Sequence, residues 1–232
     1  MNERVLLKLS GETLAAGNLS IDPKRLIIVA DEIKDAFKLK RFQLAIVIGA
    51  GNLWRGAGKD MERTAADKIG MIATVMNSIA LKNELLRNGL PAEVFCPRNV
   101  SSLVKEYDSE TVIHYLNSGC ITILAGGTGN PFFTTDSGAA LRAAEIKASV
   151  VIKATQIDGI YSDDPKKNKK AVKYDYLSFE DALAQHLKVM DETAFALCAA
   201  SNIGILVFDF YQKGNLAKVI VGENIGTFVG KR

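Results

Sequence analysis

Short, mainly apolar runs alternate along the chain with longer stretches in which apolar residues recur every three or four positions. Runs at 4–9, 44–48, 92–96, 120–124, 149–153 and 205–209 have strand length, and 44–48 is uninterrupted, as in a parallel sheet covered on both faces. Asp22-Pro23 starts the first helical stretch, an N-cap followed by proline at N1. Leu26, Ile27, Val29, Ala30, Ile33 and Phe37 give that helix a wide apolar face. A second long helix is predicted over 64–87, with Asn88-Gly89 as its stop and Pro91 as its breaker. Ile69, Met71, Ile72, Val75, Met76 and Ile79 surround most of it, so it needs cover from its own core and leaves apolar surface for a second subunit. Further helices are predicted over 109–117 and 216–221 and from Asp136, Ser178 and Asp191 onward, while 227–229 reads as an edge strand. Strands alternating with helices throughout predict an α/β fold, a mainly parallel sheet with helices on both faces. No internal repeat interrupts the pattern. Residues 1–232 are therefore expected to form a single domain, with any division into lobes, 1–148 and 149–232, near Ala148.

Three of the predicted strands end in glycine turns beside a charged or hydroxyl residue. These are Lys8-Leu9-Ser10-Gly11, Gly49-Ala50-Gly51-Asn52 and Gly126-Gly127-Thr128-Gly129-Asn130. The carboxyl ends of parallel strands converge on one crevice, and glycine turns ahead of a helix offer backbone N–H groups to anions. Several phosphates could be held there. The third turn continues through Pro131, Phe132, Phe133, Thr134 and Thr135 to the helix that Asp136 opens. Two phenylalanines are costly to expose, so they are expected either to pack inward or to wall a flat ligand.

Taken singly, each feature has an ordinary explanation. Glycines after strands are often only turn formers, and a strand-end lysine is usually solvated. Lys166, Lys167, Lys169 and Lys170 read as a solvated loop, and Asp158 and Asp164 as turn formers. It is the joint occurrence of the three turns that points to a nucleotide. Neither common nucleotide signature is present: Gly58-Lys59 is followed by Asp60 and lacks the upstream glycine of a P-loop. Gly49-Ala50-Gly51 has Trp54 where a dinucleotide-binding turn has its third glycine.

Composition narrows the setting more than the chemistry. At 48% hydrophobic and 24% charged, with net charge +3 and both signs interspersed, the chain gives no reason to expect a nucleic-acid or membrane partner. Cys96, Cys120 and Cys198 lie in apolar runs without metal-binding spacing and are expected to be reduced, buried thiols. With no signal-like start, this favours a cytoplasmic location. His114 and His186 sit on helical patterns without partner ligands, so no metal site is expected on them.

The segments KLSGE, GAGNLWRG, DKIGMIATVMN, GTGNPFFTTDS, KATQIDGIYSDDP and LKVMDETAF occur in this order over nearly the whole chain. Together they resemble the bacterial uridylate kinases of the amino acid kinase family. The resemblance implies a three-layer αβα sandwich, a homohexamer assembled as a trimer of dimers, and transfer of the ATP γ-phosphoryl group to UMP. The product, UDP, would feed CTP and UTP synthesis. Mg2+ is implied as a cofactor carried by ATP. Also by resemblance, UMP contacts Ala50 and Asp67, the latter taking the ribose hydroxyls. The loop Thr128, Gly129, Asn130, Pro131, Phe132, Phe133, Thr134 and Thr135 encloses the base. ATP contacts Lys8, Leu9, Ser10, Gly11 and Gly51 through its phosphates, with Arg55 as a clamp, and Thr155, Tyr161 and Asp164 through its adenosine. Lys8, Lys153, Asp136 and Asp191 are implied as the catalytic group, the carboxylates orienting the lysines and the Mg-phosphate assembly. Two departures stand out: Ala50 replaces a glycine of the family's GGGN motif, and 14–21 lacks the glycine-rich, aromatic pattern of the loop linked to GTP activation. A kinase for a carboxylate or carbamate, and a nucleotide sensor without catalysis, are the competing expectations.

Overall fold

The computed structural model describes residues 3–39, 42–55, 61–100, 102–187 and 189–231; Gly58, Lys59 and Asp60 lie outside them. In chain order the first half supplies β1 (Arg4–Leu9), α1 (Pro23–Leu39), β2 (Gln43–Ile48), α2 (Arg63–Arg87), β3 (Ala92–Cys96), β4 (Lys105–Glu106), α3 (Ser109–Asn117), β5 (Ile121–Leu124) and α4 (Thr135–Glu145). The second half adds β6 (Val150–Thr155), β7 (Ile160–Tyr161), β8 (Lys173–Tyr174), β9 (Tyr176–Leu177), α5 (Phe179–Ala184), α6 (Glu192–Ala200), β10 (Gly204–Asp209), α7 (Asn215–Val221) and β11 (Thr227–Val229). Among the described residues, nine strands form one sheet in the order β4-β3-β5-β2-β1-β6-β10-β11-β9, and β7 and β8 form a separate hairpin. Within the large sheet only β10 and β11 pair antiparallel.

The period-2 alternation of β1 explains both its central place and the position of the site. Val5, Leu7 and Leu9 enter a core closed by α1, α2 and α7, whereas Leu6 enters a second core closed by α3, α4, α5 and α6. The result is a three-layer αβα sandwich. Lys8 shares the face of Leu6 and stands level with Lys153 of β6 in the parallel register. Because β1 pairs with β2 and β6 alike, the sheet runs unbroken past Ala148.

Three expectations need correction. The segment 227–229 is not an edge, since β11 lies between β10 and β9. Phe228 stacks on Tyr176 at 6.3 Å between ring centroids, and the two-residue β9 it covers is too short to leave a periodic signal. Cys120 is half-buried, although Cys96 and Cys198 are buried and all three are free thiols. The helix assigned to Asp136 starts one residue earlier, because Thr134 is its cap and accepts the Ser137 N–H at 3.1 Å. Among the described residues, no helix is long and apolar enough to cross a membrane.

Candidate functional site

The first two glycine turns interlock at the carboxyl end of β1 and β2. Ser10 caps a single 3-10 turn (Gly11–Leu14), its Oγ accepting the Glu12 N–H at 3.3 Å. A Cβ on Gly11 would stand 2.3 Å from Asn52 Oδ1 and 2.6 Å from Gly49 O, so only glycine lets the two turns touch. The second turn is fastened from α2. Asn77, fully buried, donates Nδ2 to Gly49 O and to Asn52 Oδ1, each at 2.8 Å, and Asn52 donates onward to Ser20 O at 2.6 Å. Gly11→Ala is accordingly expected to wedge the turns apart, costing about 1–3 kcal/mol in urea unfolding and lowering kcat/KM. An alanine variant with unchanged stability would show that the turns separate freely. Ala50 does not adopt positive φ, so the departure from glycine there carries no backbone strain.

The third turn is built from left-handed glycines, Gly126, Gly127 and Gly129, with φ of 76, 56 and 82°. Gly126 donates its N–H to Thr74 Oγ1 of α2 at 2.8 Å. The start of α4 abuts the turn so closely that a Cβ on Gly138 would lie 3.0 Å from Gly127 Cα.

Between these turns and α2 lies a cleft of about 360 Å³. Of the residues expected at UMP, Ala50, Asp67, Thr128, Asn130, Phe133, Thr134 and Thr135 line it, as does Gly51 from the set expected at ATP. Gly129, Pro131 and Phe132 belong to the same loop but stand back from the lining. Phe132 neither packs inward nor walls the cleft: it is 65% exposed, at φ 72°, and its N–H donates to Asp67 Oδ2 at 2.7 Å. Arg63 Nε donates to the same oxygen at 2.8 Å. Burial raises the Asp67 carboxyl, but the Phe132 N–H and Arg63 outweigh it and hold its pKa below the ordinary value. Arg63 lines the cleft and was not singled out in the sequence; its place four residues before Asp67 on a helix was the available signal. Arg55, by contrast, is exposed, paired with Glu12, and donates Nε to Gly51 O at 3.2 Å. Leu9 turns its side chain into the first core, and only its carbonyl serves the site, accepting the Gly49 N–H at 3.0 Å.

A second cleft of about 670 Å³ opens beyond β6 and holds Lys153, Thr155, Tyr161 and Asp164 together. Tyr161 Oη donates to Asp158 Oδ1 at 2.8 Å, and Lys173 pairs with the same carboxylate at 3.1 Å. Asp164 shapes its turn as expected, accepting the Lys166 N–H at 2.9 Å. Lys166 and Lys167 are exposed, as expected of a solvated loop, and both line the rim of this cleft.

Beside Thr135 of the first cleft and Lys153 of the second, Lys8, Asp136 and Lys153 form one cluster. Asp136 Oδ1 lies 2.8 Å from Lys8 Nζ and Oδ2 2.8 Å from Lys153 Nζ, with side-chain exposures of only 14–17%. Lys153 also donates to Val189 O at 2.7 Å. Two ammonium groups level on adjacent strands repel each other, and the carboxylate between them offsets that repulsion. Burial pushes the Asp136 carboxyl up, but Lys8 and Lys153 together bring its pKa below the ordinary carboxylate value. Asp191 is placed differently from expectation. It caps α6 through the Ala194 N–H at 2.9 Å and accepts the hydroxyls of Thr134 and Ser137, so among the described residues it ties helix ends together and pairs with neither lysine.

Residues 3–209 match the model of the amino acid kinase family. Over their whole lengths, the chain is similar to a UMP kinase from Ureaplasma parvum, with a TM-score of 0.95 and 36% identity, 100% of each chain being covered. A UMP kinase from Bacillus anthracis superposes with a TM-score of 0.94 at 35% identity, covering 98% of this chain and 96% of that one. Uridylate kinase from Archaeoglobus fulgidus gives 0.72 at 29% identity, covering 97% and 99%.

Proposed function

The chain belongs to the amino acid kinase family, and from that premise we propose that it is a UMP kinase, transferring the γ-phosphoryl group of ATP to UMP to give UDP and ADP. The observation that carries this reading is the cluster of Lys8, Asp136 and Lys153, which joins Lys153 of the second cleft to the residue that follows Thr135 of the first. Phosphoryl transfer asks little covalent chemistry of a protein; it asks that two anions be held in line with their charge neutralised. UMP would occupy the first cleft, Asp67 accepting the ribose hydroxyls and Arg63 adding a cation nearby. ATP would occupy the second, along Thr155, Tyr161 and Asp164, with Lys166 and Lys167 beside it. Lys8 and Lys153 would flank the migrating group, and Asp136 would keep their spacing fixed. No general base is needed, because the attacking oxygen already belongs to a phosphate anion.

Mg2+ would be carried by ATP and held through the substrate phosphates, with Asp136, both of whose oxygens pair with ammonium groups, orienting the lysines beside it. When bound, the ion supplies charge neutralisation at the phosphates. Residues 1–148 and 149–232 would act as a UMP lobe and an ATP lobe of one cytoplasmic domain.

A homohexamer built from dimers is supported by α2. Ile69, Ile72, Met76, Ile79 and Leu86 form an exposed apolar stripe along it, Ile72 and Met76 being 53% and 50% accessible. Ile72→Glu would place a charge in that stripe, and sedimentation should then find a smaller particle than wild type. An unchanged mass would exclude α2 from the interface.

The test of function is an ATP-coupled assay across UMP, CMP, dTMP, GMP, carbamate and amino-acid carboxylates. UMP is expected to turn over far faster than the rest, since a site built around its own polar groups rejects a base that leaves them unpaired. Turnover of a carboxylate instead would move the protein to another branch of the family.

A further inference from the structure

Arg142, in the alanine-rich α4, is 3% exposed, yet a guanidinium stays charged in proteins. A buried charge persists only where its donors are met, and here they are. Nε and Nη2 donate to Gly127 O at 3.3 and 3.2 Å, Nη2 also to Thr128 O at 3.2 Å, and Nη1 to the Glu145 carboxylate. The Tyr107 ring covers the guanidinium, its centroid 4.0 Å from Cζ, and Tyr107 Oη donates to Glu145 Oε2 at 2.6 Å. The closed set Tyr107, Glu145 and Arg142 therefore ends on two backbone carbonyls, and those belong to the turn whose Gly127 and Thr128 line the first cleft.

That turn is the one that most needs outside support. Glycine is the residue with the greatest backbone freedom, and three of them adopt left-handed φ within four positions. A binding loop is useful only when its groups are held to within about 0.5 Å. A planar fork holds two adjacent carbonyls in a fixed geometry, whereas an ammonium is a point charge on a flexible stem.

We propose that Arg142 is a positioning residue for nucleoside monophosphate binding, clamping Gly127 and Thr128 from behind with Glu145 and Tyr107 as its supports. The proposal rests on the reading of the first cleft as the monophosphate site. The test uses calorimetric titration with UMP and steady-state kinetics on the full chain. Arg142→Lys is expected to raise Kd and KM for UMP by about tenfold, while KM for ATP and kcat change by less than about threefold. Tyr107→Phe keeps the guanidinium and loses only the hydroxyl on Glu145; it should raise UMP Kd by about twofold. A merely structural role predicts a lower melting temperature with unchanged UMP affinity in both variants, and that result overturns the clamp. If Arg142→Lys does not fold, Tyr107→Phe decides alone, and wild-type affinity in it overturns the clamp. Wild-type protein that binds no UMP overturns the reading of the cleft and the proposal with it.

Discussion

Lys8→Ala is expected to lower kcat for UMP phosphorylation by about 10²- to 10³-fold, the usual loss when one preorganised donor to developing charge is removed. Lys8 stands at the end of the central strand, level with Lys153 and 2.8 Å from Asp136. Neither cleft is lined by Lys8 itself, so KM for either nucleotide should move far less than kcat. The fold should survive. Asp136 keeps its pair with Lys153, and removal of one of two like charges in register on neighbouring strands relieves repulsion. Initial rates with saturating UMP and ATP, taken beside a thermal melt, check both halves of the expectation. A variant of wild-type melting temperature that turns over UMP at near the wild-type rate would remove Lys8 from the mechanism.

The parts of this arrangement that were legible in the sequence share one physical property: their cause is local. β1, β2, β6 and β10 are covered on both faces, so their residues read as mainly apolar runs, and α1 carries its cap and α2 its stop beside it. The three turns announced themselves through glycine, and at Gly11 the reason is now visible, since any Cβ would strike Gly49 O. What was not legible depends on encounters between distant segments. An aspartate before a helix reads equally as a cap or as an active-site acid; only the fold brings Thr134 and Ser137 to Asp191 and commits it to their hydroxyls. Lys166 and Lys167 are solvated as their stretch suggests, but nothing in that stretch shows that they border a cleft. Arg142 offered a faint signal, a lone cation among small apolar residues of one helix, but its targets are the carbonyls of Gly127 and Thr128 on another element. The short strands β4, β8 and β9 have two residues each, too few for any period to register.

Asp136→Asn is expected to remove nearly all turnover and also to destabilise the protein, in contrast to Lys8→Ala. Asparagine keeps the size of the side chain but leaves two largely buried ammonium groups side by side with no anion between them. Deleting one partner of a buried ion pair costs about 3–5 kcal/mol, and the residual exposure here places the expected loss near about 3 kcal/mol. Its pH dependence has a definite sign. The Asp136 carboxyl titrates below its ordinary value of 3.8 in the folded protein, so the folded state holds fewer protons there than the unfolded chain. The stabilisation is fully present above the ordinary value and is lost as pH falls through the lower, folded one. Urea unfolding of both proteins from neutral pH into acid should therefore show a gap that is constant down to about pH 5 and shrinks below about pH 4. Other carboxylates with lowered pKa, Asp67 and Glu93 among them, are common to both proteins and cancel in the difference. A gap that stays the same size throughout the acid range would mean that the charge of Asp136 is not what holds Lys8 and Lys153 together.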